Sequence, residues 1–221
     1  MTGRADSTVV DAAFRAFVGD TGFPCLAGKG VVNANGYECI AYGALATGRS
    51  TRALARDLAS FVENSDDDAR LRAFVAVFPE ATCADEPAFE HQLWAQLQGL
   101  SDADDEGQWD ETASEDPDDS RFSFSFRGCA MFVVGLHPIS SRLARRFRWP
   151  ALVFNPRSQF ERLRETGRFE RLRGAVRDRE LALQGSLNPN LSDFGDQSDA
   201  RQYSGRATEA DWKCPFHRGA P

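Results

Sequence analysis

Residues 121–136, RFSFSFRGCAMFVVGL, decide what kind of fold this chain builds. Phe122, Phe124 and Phe126 alternate with Ser123 and Ser125, so this strand presents one apolar face and one polar face. The following CAMFVVGL is apolar throughout, as expected of a strand covered on both sides. Only Arg127 and Gly128 lie between them, and so tight a connection joins antiparallel neighbours.

Working outward, ALVFNP (151–156), LRAFVAVFPE (71–80) and GYECIAYGAL (36–45) read as further strands, the second stopped by Pro79. Helical spacing recurs in Ser7–Val18, through Val10, Phe14, Phe17 and Val18. It recurs in STRALARDLASFVENS (50–65), through Leu54, Leu58, Phe61 and Val62, behind a Ser/Thr cap signal. ADEPAFEHQLWAQLQGL (84–100) offers Asp85 as a cap, Pro87 in the first turn, and Phe89, Leu93 and Leu97 four apart. RSQFERLRETG and RFERLRGAVRDRELALQG give two more amphipathic helices, and SSRLARRF after the central strand reads as a basic one. TGFPCLAGKG, with its glycines and proline, reads as a turn or irregular loop. The expectation is an α+β fold spanning 1–221 as a single domain: a mostly antiparallel sheet flanked by helices, with a long irregular C-terminal tail from Ser186.

At 221 residues, 42% hydrophobic and 27% charged, the composition is that of an ordinary globular chain. A formal charge of -7 argues against a nucleic-acid binder. No apolar run approaches the ~20 residues needed to span a bilayer, and the N-terminus lacks an export signal. Five cysteines at irregular intervals suggest neither a zinc site nor a disulfide framework, and their odd number fits a reducing compartment, so a cytoplasmic protein is expected. Charge is unevenly placed: Ser101–Ser120 carries ten acids and no base, whereas Arg142–Arg179 holds twelve arginines. Both runs read first as solvated faces, with a cationic substrate as the functional alternative for the acidic run.

The chemistry-bearing candidates are few. GxSxG, a Walker loop, HExxH and a helix-opening GxGxxG are all missing. His137 stands where the apolar strand ends, followed by Pro138 and by Arg142, Arg145, Arg146 and Arg148. On the residues alone it is either a structural histidine at a strand end or a haem ligand, since haem needs an axial donor in an apolar slot and cations for its propionates. Cys214 in WKCPF and Cys25 in FPC are the cysteines in loop-like contexts, and a thiolate is the alternative axial donor. Cys39, Cys83 and Cys129 lie in or beside apolar segments, and His91 lies opposite its helix's apolar stripe. Arg201, Gln202, Tyr203 and Arg206 stand in a tail segment that either wraps a pocket or forms an ordered surface loop.

Taken in order, FPC, FEHQLW, DPDDSRFSFSF, VVGLHPISSRLARRF, ALVFNPRSQFERLR, SLNPNLSDFG, ARQYSGR and WKCPF resemble the YqcI/YcgG family over roughly residues 23 to 217. The resemblance implies a haem-dependent N-oxygenase: a monooxygenase that hydroxylates a guanidino or primary amine nitrogen of an amino acid-like substrate, as in natural-product pathways. Its cofactor would be heme b, iron protoporphyrin IX. His137, Pro138, Ser141 and Arg142 match the family's HPxxSR pattern, which ranks His137 first as axial and metal ligand and Cys214 second. Ser141, Arg142, Arg145, Arg146 and Arg206 complete the expected cofactor-binding set. Tyr203 and Ser204 are the expected hydrogen-bond donors to dioxygen, and Asp193 and Asp196 the candidate acids for a cationic substrate. No flavin or nicotinamide motif is visible, so electrons would come from a separate reductase. The implied partners are thus a small-molecule amine or guanidine, O2 and that reductase, with neither nucleic acid nor membrane, and homodimerisation is left open. Two rivals use the same residues: a haem-binding or haem-sensing protein without turnover, and a metal-free interaction protein with arginine-rich helices.

Overall fold

The structure, a computed structural model, describes residues 6–64, 70–105, 107–190 and 197–218. Five strands form one sheet: β1 (Tyr37–Ala41), β2 (Ala73–Val77), β3 (Phe124–Phe126), β4 (Cys129–Leu136) and β5 (Ala151–Pro156), in the order β1-β2-β5-β4-β3. Only the β1/β2 pair is parallel; the other three pairs are antiparallel. Arg127 and Gly128 turn β3 into β4 with positive φ at both positions, 52° and 68°, as a primed two-residue hairpin turn requires.

Alternation along the strands sorts the core into two faces. On one face Phe74, Ala76, Met131, Val133, Leu152 and Phe154 pack beneath α3 (Gly48–Glu63) and α4 (Glu86–Asp102). Thr47 caps α3 through the Ser50 N–H, three residues before the Ser/Thr pair that signalled the helix. Asp85 caps α4 through the Ala88 N–H at 2.7 Å, with Pro87 in the first turn, as the sequence predicts. Helix α4 lies so close to β4 that a Cβ on Gly135 would stand 2.8 Å from both Leu93 and Phe89 and 2.9 Å from the Tyr203 carbonyl. On the other face Ala73, Val75, Val77, Ala151, Val153 and Leu136 meet α1 (Ser7–Gly19) and α2 (Leu26–Asn33).

Two expectations are corrected. TGFPCLAGKG is not all loop: Cys25 caps α2, which its two glycines conceal from a propensity reading. SSRLARRF is not a basic helix but one 3-10 turn, Leu143–Arg145, because its arginines bond outward to carbonyls rather than lining a helix surface. Beyond β5 come α5 (Ser158–Glu165) and α6 (Arg168–Gln184), the latter bounded by Gly167 and Gly185 in the left-handed region. The tail is irregular except for α7 (Ala200–Tyr203). Among the described residues no helix is long and apolar enough to cross a membrane.

Candidate functional site

The cavity-bearing face is the one on which Phe132, Val134, Leu136 and Val153 point away from α3 and α4. There α1 and α2 cover only part of the sheet and α5 and α6 do not close over the rest, leaving two adjoining spaces of about 300 and 260 Å³. Each is close to the lower end of the range usual for small-molecule and cofactor sites. They share walls that include Cys25, Phe132, Phe160, Val176 and Gln202. Helix α6 contributes Val176 and Glu180 to both lobes, yet none of its residues is buried: it roofs empty space instead of packed core.

The lobes differ in chemistry. The first is walled by Phe14, Val18, Val31, Val32, Val134 and Val153, with Arg142 and Arg145 at its polar end. The second, under α5 and α6, combines Leu163, Phe169 and Leu172 with Arg157, Arg164, Arg173, Arg177 and Asp199.

Cys25 stands in the wall common to both. As the cap of α2 its Sγ accepts the Gly28 N–H at 3.3 Å. Burial pushes the thiol's pKa up, while the backbone N–H groups of Gly28 and Ala27 and the charge of Arg145 work against that rise. Arg142 is buried, bonds Glu180 and the Ser186 carbonyl at 2.6 Å each, and leaves its Nε without a hydrogen-bond partner. Arg145 donates to the carbonyls of Gly135, Tyr203 and Gln202 at 3.0 to 3.1 Å, and burial lowers its pKa to about 10.

Of the nine residues expected to bind the cofactor or dioxygen, Arg142 and Arg145 line this cavity. His137 does not. Its ring, wholly buried, stacks on Phe89 of α4 at 4.2 Å, on the opposite face of the sheet. Neither ring nitrogen has a hydrogen-bond partner, and burial depresses its pKa to about 4. The first-ranked axial ligand therefore lines neither lobe and packs against α4 instead. Cys214, ranked second, also lies away from the cavity: it is buried in the α3/α4 core, its pKa pushed up to about 12 by desolvation.

The expected oxygen-binding pair is engaged elsewhere. The Tyr203 hydroxyl is a wedge between β3 and β4, accepting from the Phe124 N–H at 3.0 Å and donating to the Met131 carbonyl at 3.1 Å. Ser204 donates to Glu90 of α4 at 2.9 Å, and Arg206 grips the other Glu90 oxygen through Nε at 3.0 Å and Nη2 at 2.8 Å. These residues staple the tail to α4. Ser141 is exposed and bonds Glu86, and the exposed Arg146 bonds the Ser140 carbonyl. Asp193 and Asp196 lie outside the described residues.

A sequence reading alone does not place Cys25 at the cavity wall and omits Asp199. The signal for Cys25 is FPC, a proline and a polar cap before a short helix. For Asp199 it is SDARQY, whose aspartate at the N-cap position of α7 makes no capping bond. Gln202, singled out in the tail, does line both lobes.

The residues that build the cavity, from Phe14 through the tail, fall within the stretch matched by the sequence model of the YqcI/YcgG family, residues 14–217. The chain belongs to that family. YqcI/YcgG relatives in Bacillus subtilis (strain 168) include "Uncharacterized protein YcgG", 29% identical over 204 residues, and "Uncharacterized protein YqcI", 28% identical over 204 residues. In both alignments 88% of this chain and 80% of the relative are covered. No solved structure matches this YqcI/YcgG chain.

Proposed function

We propose that this YqcI/YcgG protein is a haem-dependent N-oxygenase whose cofactor enters the α2/α6 cavity, not the strand end at His137. The observation that carries this reading is one cavity that combines an apolar wall, a sulfur donor at Cys25, the buried Arg142 and the half-buried Arg145. Those are the three things haem asks of a protein: a donor to iron, an apolar slot and cations for its propionates.

The fit is chemical at each position. Iron would displace the thiol proton of Cys25, since a coordinating thiol is deprotonated outright. The donated N–H of Gly28 and the start of α2 favour the resulting negative charge. Arg142 has an unpartnered Nε at the cavity wall, the donor a carboxylate would satisfy. When bound, haem with a thiolate ligand supplies oxygen activation, because the thiolate pushes electron density toward iron. The apolar walls exclude water from that chemistry.

The overall change takes one amine or guanidine N–H to N–OH, with O2, two electrons and two protons consumed and one water released. The electrons are supplied by a separate reductase, the chain having no flavin or nicotinamide motif. Haem-loaded protein incubated with a reductase, O2 and a panel of amines and guanidines tests the reading by mass spectrometry. A gain of one oxygen on nitrogen, dependent on all three components, is the expected result. Haem uptake without any oxidised product across the panel would instead indicate a binding or sensing protein.

A further inference from the structure

The aromatic rings of the core are not confined to one face of the sheet. Strand β3 stops pairing at Phe124, opposite Met131, while β4 runs on to Leu136, so the outer edge of β4 is free of β3 beyond that point. Helix α7 packs against β4 and brings Tyr203 to this edge. The Tyr203 ring meets Phe132 on the cavity side at 5.6 Å and stacks on Trp94 of α4 at 5.5 Å. Trp212 follows Trp94 at 6.3 Å. Phe132 lines both lobes and Trp212 is half-buried, so the series opens on the cavity at one end and on solvent at the other.

Packing alone does not account for Trp94. It is 2% exposed, yet its Nε1–H has no hydrogen-bond partner. A buried indole N–H ordinarily finds one, and an unsatisfied group of this kind fits a redox role. With no acceptor at hand, an oxidised Trp94 cannot shed its proton and passes the charge on. The Tyr203 hydroxyl donates to the Met131 carbonyl, too weak a base to take a phenol proton, so Tyr203 bridges the charge without trapping it. Trp212 differs: its ring reaches water, and no acceptor among the described residues holds its Nε1 proton.

We propose that Phe132, Tyr203, Trp94 and Trp212 form an electron-transfer path from the cavity to the surface, which discharges oxidising equivalents when the site activates oxygen with no substrate to consume it. The inference rests on the N-oxygenase reading for its oxidant, hydrogen peroxide acting at bound haem. Each discharge moves one electron from Trp212 through Trp94 to the cavity and releases the Trp212 Nε1 proton to water, leaving a neutral tryptophan radical. A thiol in solution then returns a hydrogen atom to Trp212. Two discharges, with two protons taken up at the cavity, reduce one hydrogen peroxide to two waters and oxidise two thiols to a disulfide. A second series leaves the first lobe through Phe14, Phe147 and Trp149, at 6.0 and 5.9 Å. It crosses two phenylalanines, which resist oxidation. It also ends beneath Arg148 at 4.0 Å, closer than the 5.4 Å of Arg201 over Trp212, and that charge opposes a tryptophan cation.

Electron paramagnetic resonance tests the path on the haem-loaded full chain, mixed with hydrogen peroxide without substrate or thiol and then frozen, with ring-deuterated tryptophan marking the radical. Wild type should give a tryptophan radical that Trp212→Phe abolishes and Trp149→Phe leaves unchanged. Trp94→Phe keeps an aromatic filler in the core but removes the oxidisable ring, and should lose most of the Trp212 signal. Both path variants should bleach their haem faster than wild type under peroxide. Wild type without a tryptophan radical, a signal that survives Trp212→Phe or Trp94→Phe undiminished, or one that Trp149→Phe removes, overturns the proposal. Should Trp94→Phe fail to fold, Trp212→Phe at the half-buried end of the path still decides. Haem uptake is scored beforehand by absorbance: a chain that takes up none overturns the oxygenase reading and this path with it, whereas uptake without a radical overturns the path alone.

Discussion

His137 shows how the same side chain can look functional in sequence and be structural in space. A histidine after an apolar strand and before four arginines has the neighbours of a haem ligand, but strand alternation sends its ring to the α4 side of the sheet. There it stacks on Phe89, without a partner for either nitrogen. The energetic consequence is a pH dependence. With its pKa depressed from 6.5 to about 4, the folded chain keeps this ring neutral while the unfolded chain protonates it. Stability rises with pH wherever the unfolded state binds more protons, so this residue removes stability as pH falls from about 6.5 to about 4. At ~1.4 kcal/mol per pH unit the loss is on the order of 3 kcal/mol. Asp199, raised to about 6, acts in the opposite direction, so the comparison with a variant isolates the histidine. In urea titrations His137→Phe should match or exceed wild-type stability at pH 8 and gain further on it by pH 4.5. Parallel pH curves for the two proteins would show that the ring is not held neutral.

Among the elements, the hairpin and the helices with explicit caps are the ones their residues announce. Arg127-Gly128, Asp85 with Pro87, and the Leu54/Leu58/Phe61 stripe all act over a few residues, and each element forms where those signals place it. What is hidden is what depends on distant chain. The arginines after His137 would suit a helix, but their guanidinium groups find carbonyls of Gly135, Ser140 and Tyr203, and a single 3-10 turn results. Helix α6 reads as amphipathic and buries nothing, because the surface it would cover is cavity. The approach of α4 to β4 depends on Gly135, where an added methyl would meet Leu93, Phe89 and the Tyr203 backbone within 3 Å. Gly135→Ala should therefore cost about 1–3 kcal/mol, the usual range for overpacking a filled core, and shear the tail from α4. Calorimetric unfolding checks this, and an unchanged midpoint would mean that the α4/β4 contact has slack.

At the scale of the molecule, the sheet divides a filled face from an open one. Its α3/α4 face is filled: Tyr203 is wedged between strands, Cys214 and Phe216 lie in the core, and Glu90 ties Ser204 and Arg206 down. Its α1/α2 face is left open as two adjoining lobes. The fold class and sheet composition could be read from periodicity and turn chemistry. The side of the sheet bearing the site could not, because that depends on strand register and on which helices fail to close, and neither leaves a local mark. This is why Arg142 and Arg145, which line the cavity, are nominated alongside seven residues that do not.

The central claim is that iron is held through Cys25 in the open face. Absorption spectra of the chain reconstituted with haem, compared for wild type, Cys25→Ala and His137→Ala, test it most directly. The account predicts a Soret band that is displaced or lost in Cys25→Ala and unchanged in His137→Ala. A band insensitive to Cys25→Ala, or one abolished by His137→Ala in a chain that remains folded, would contradict it.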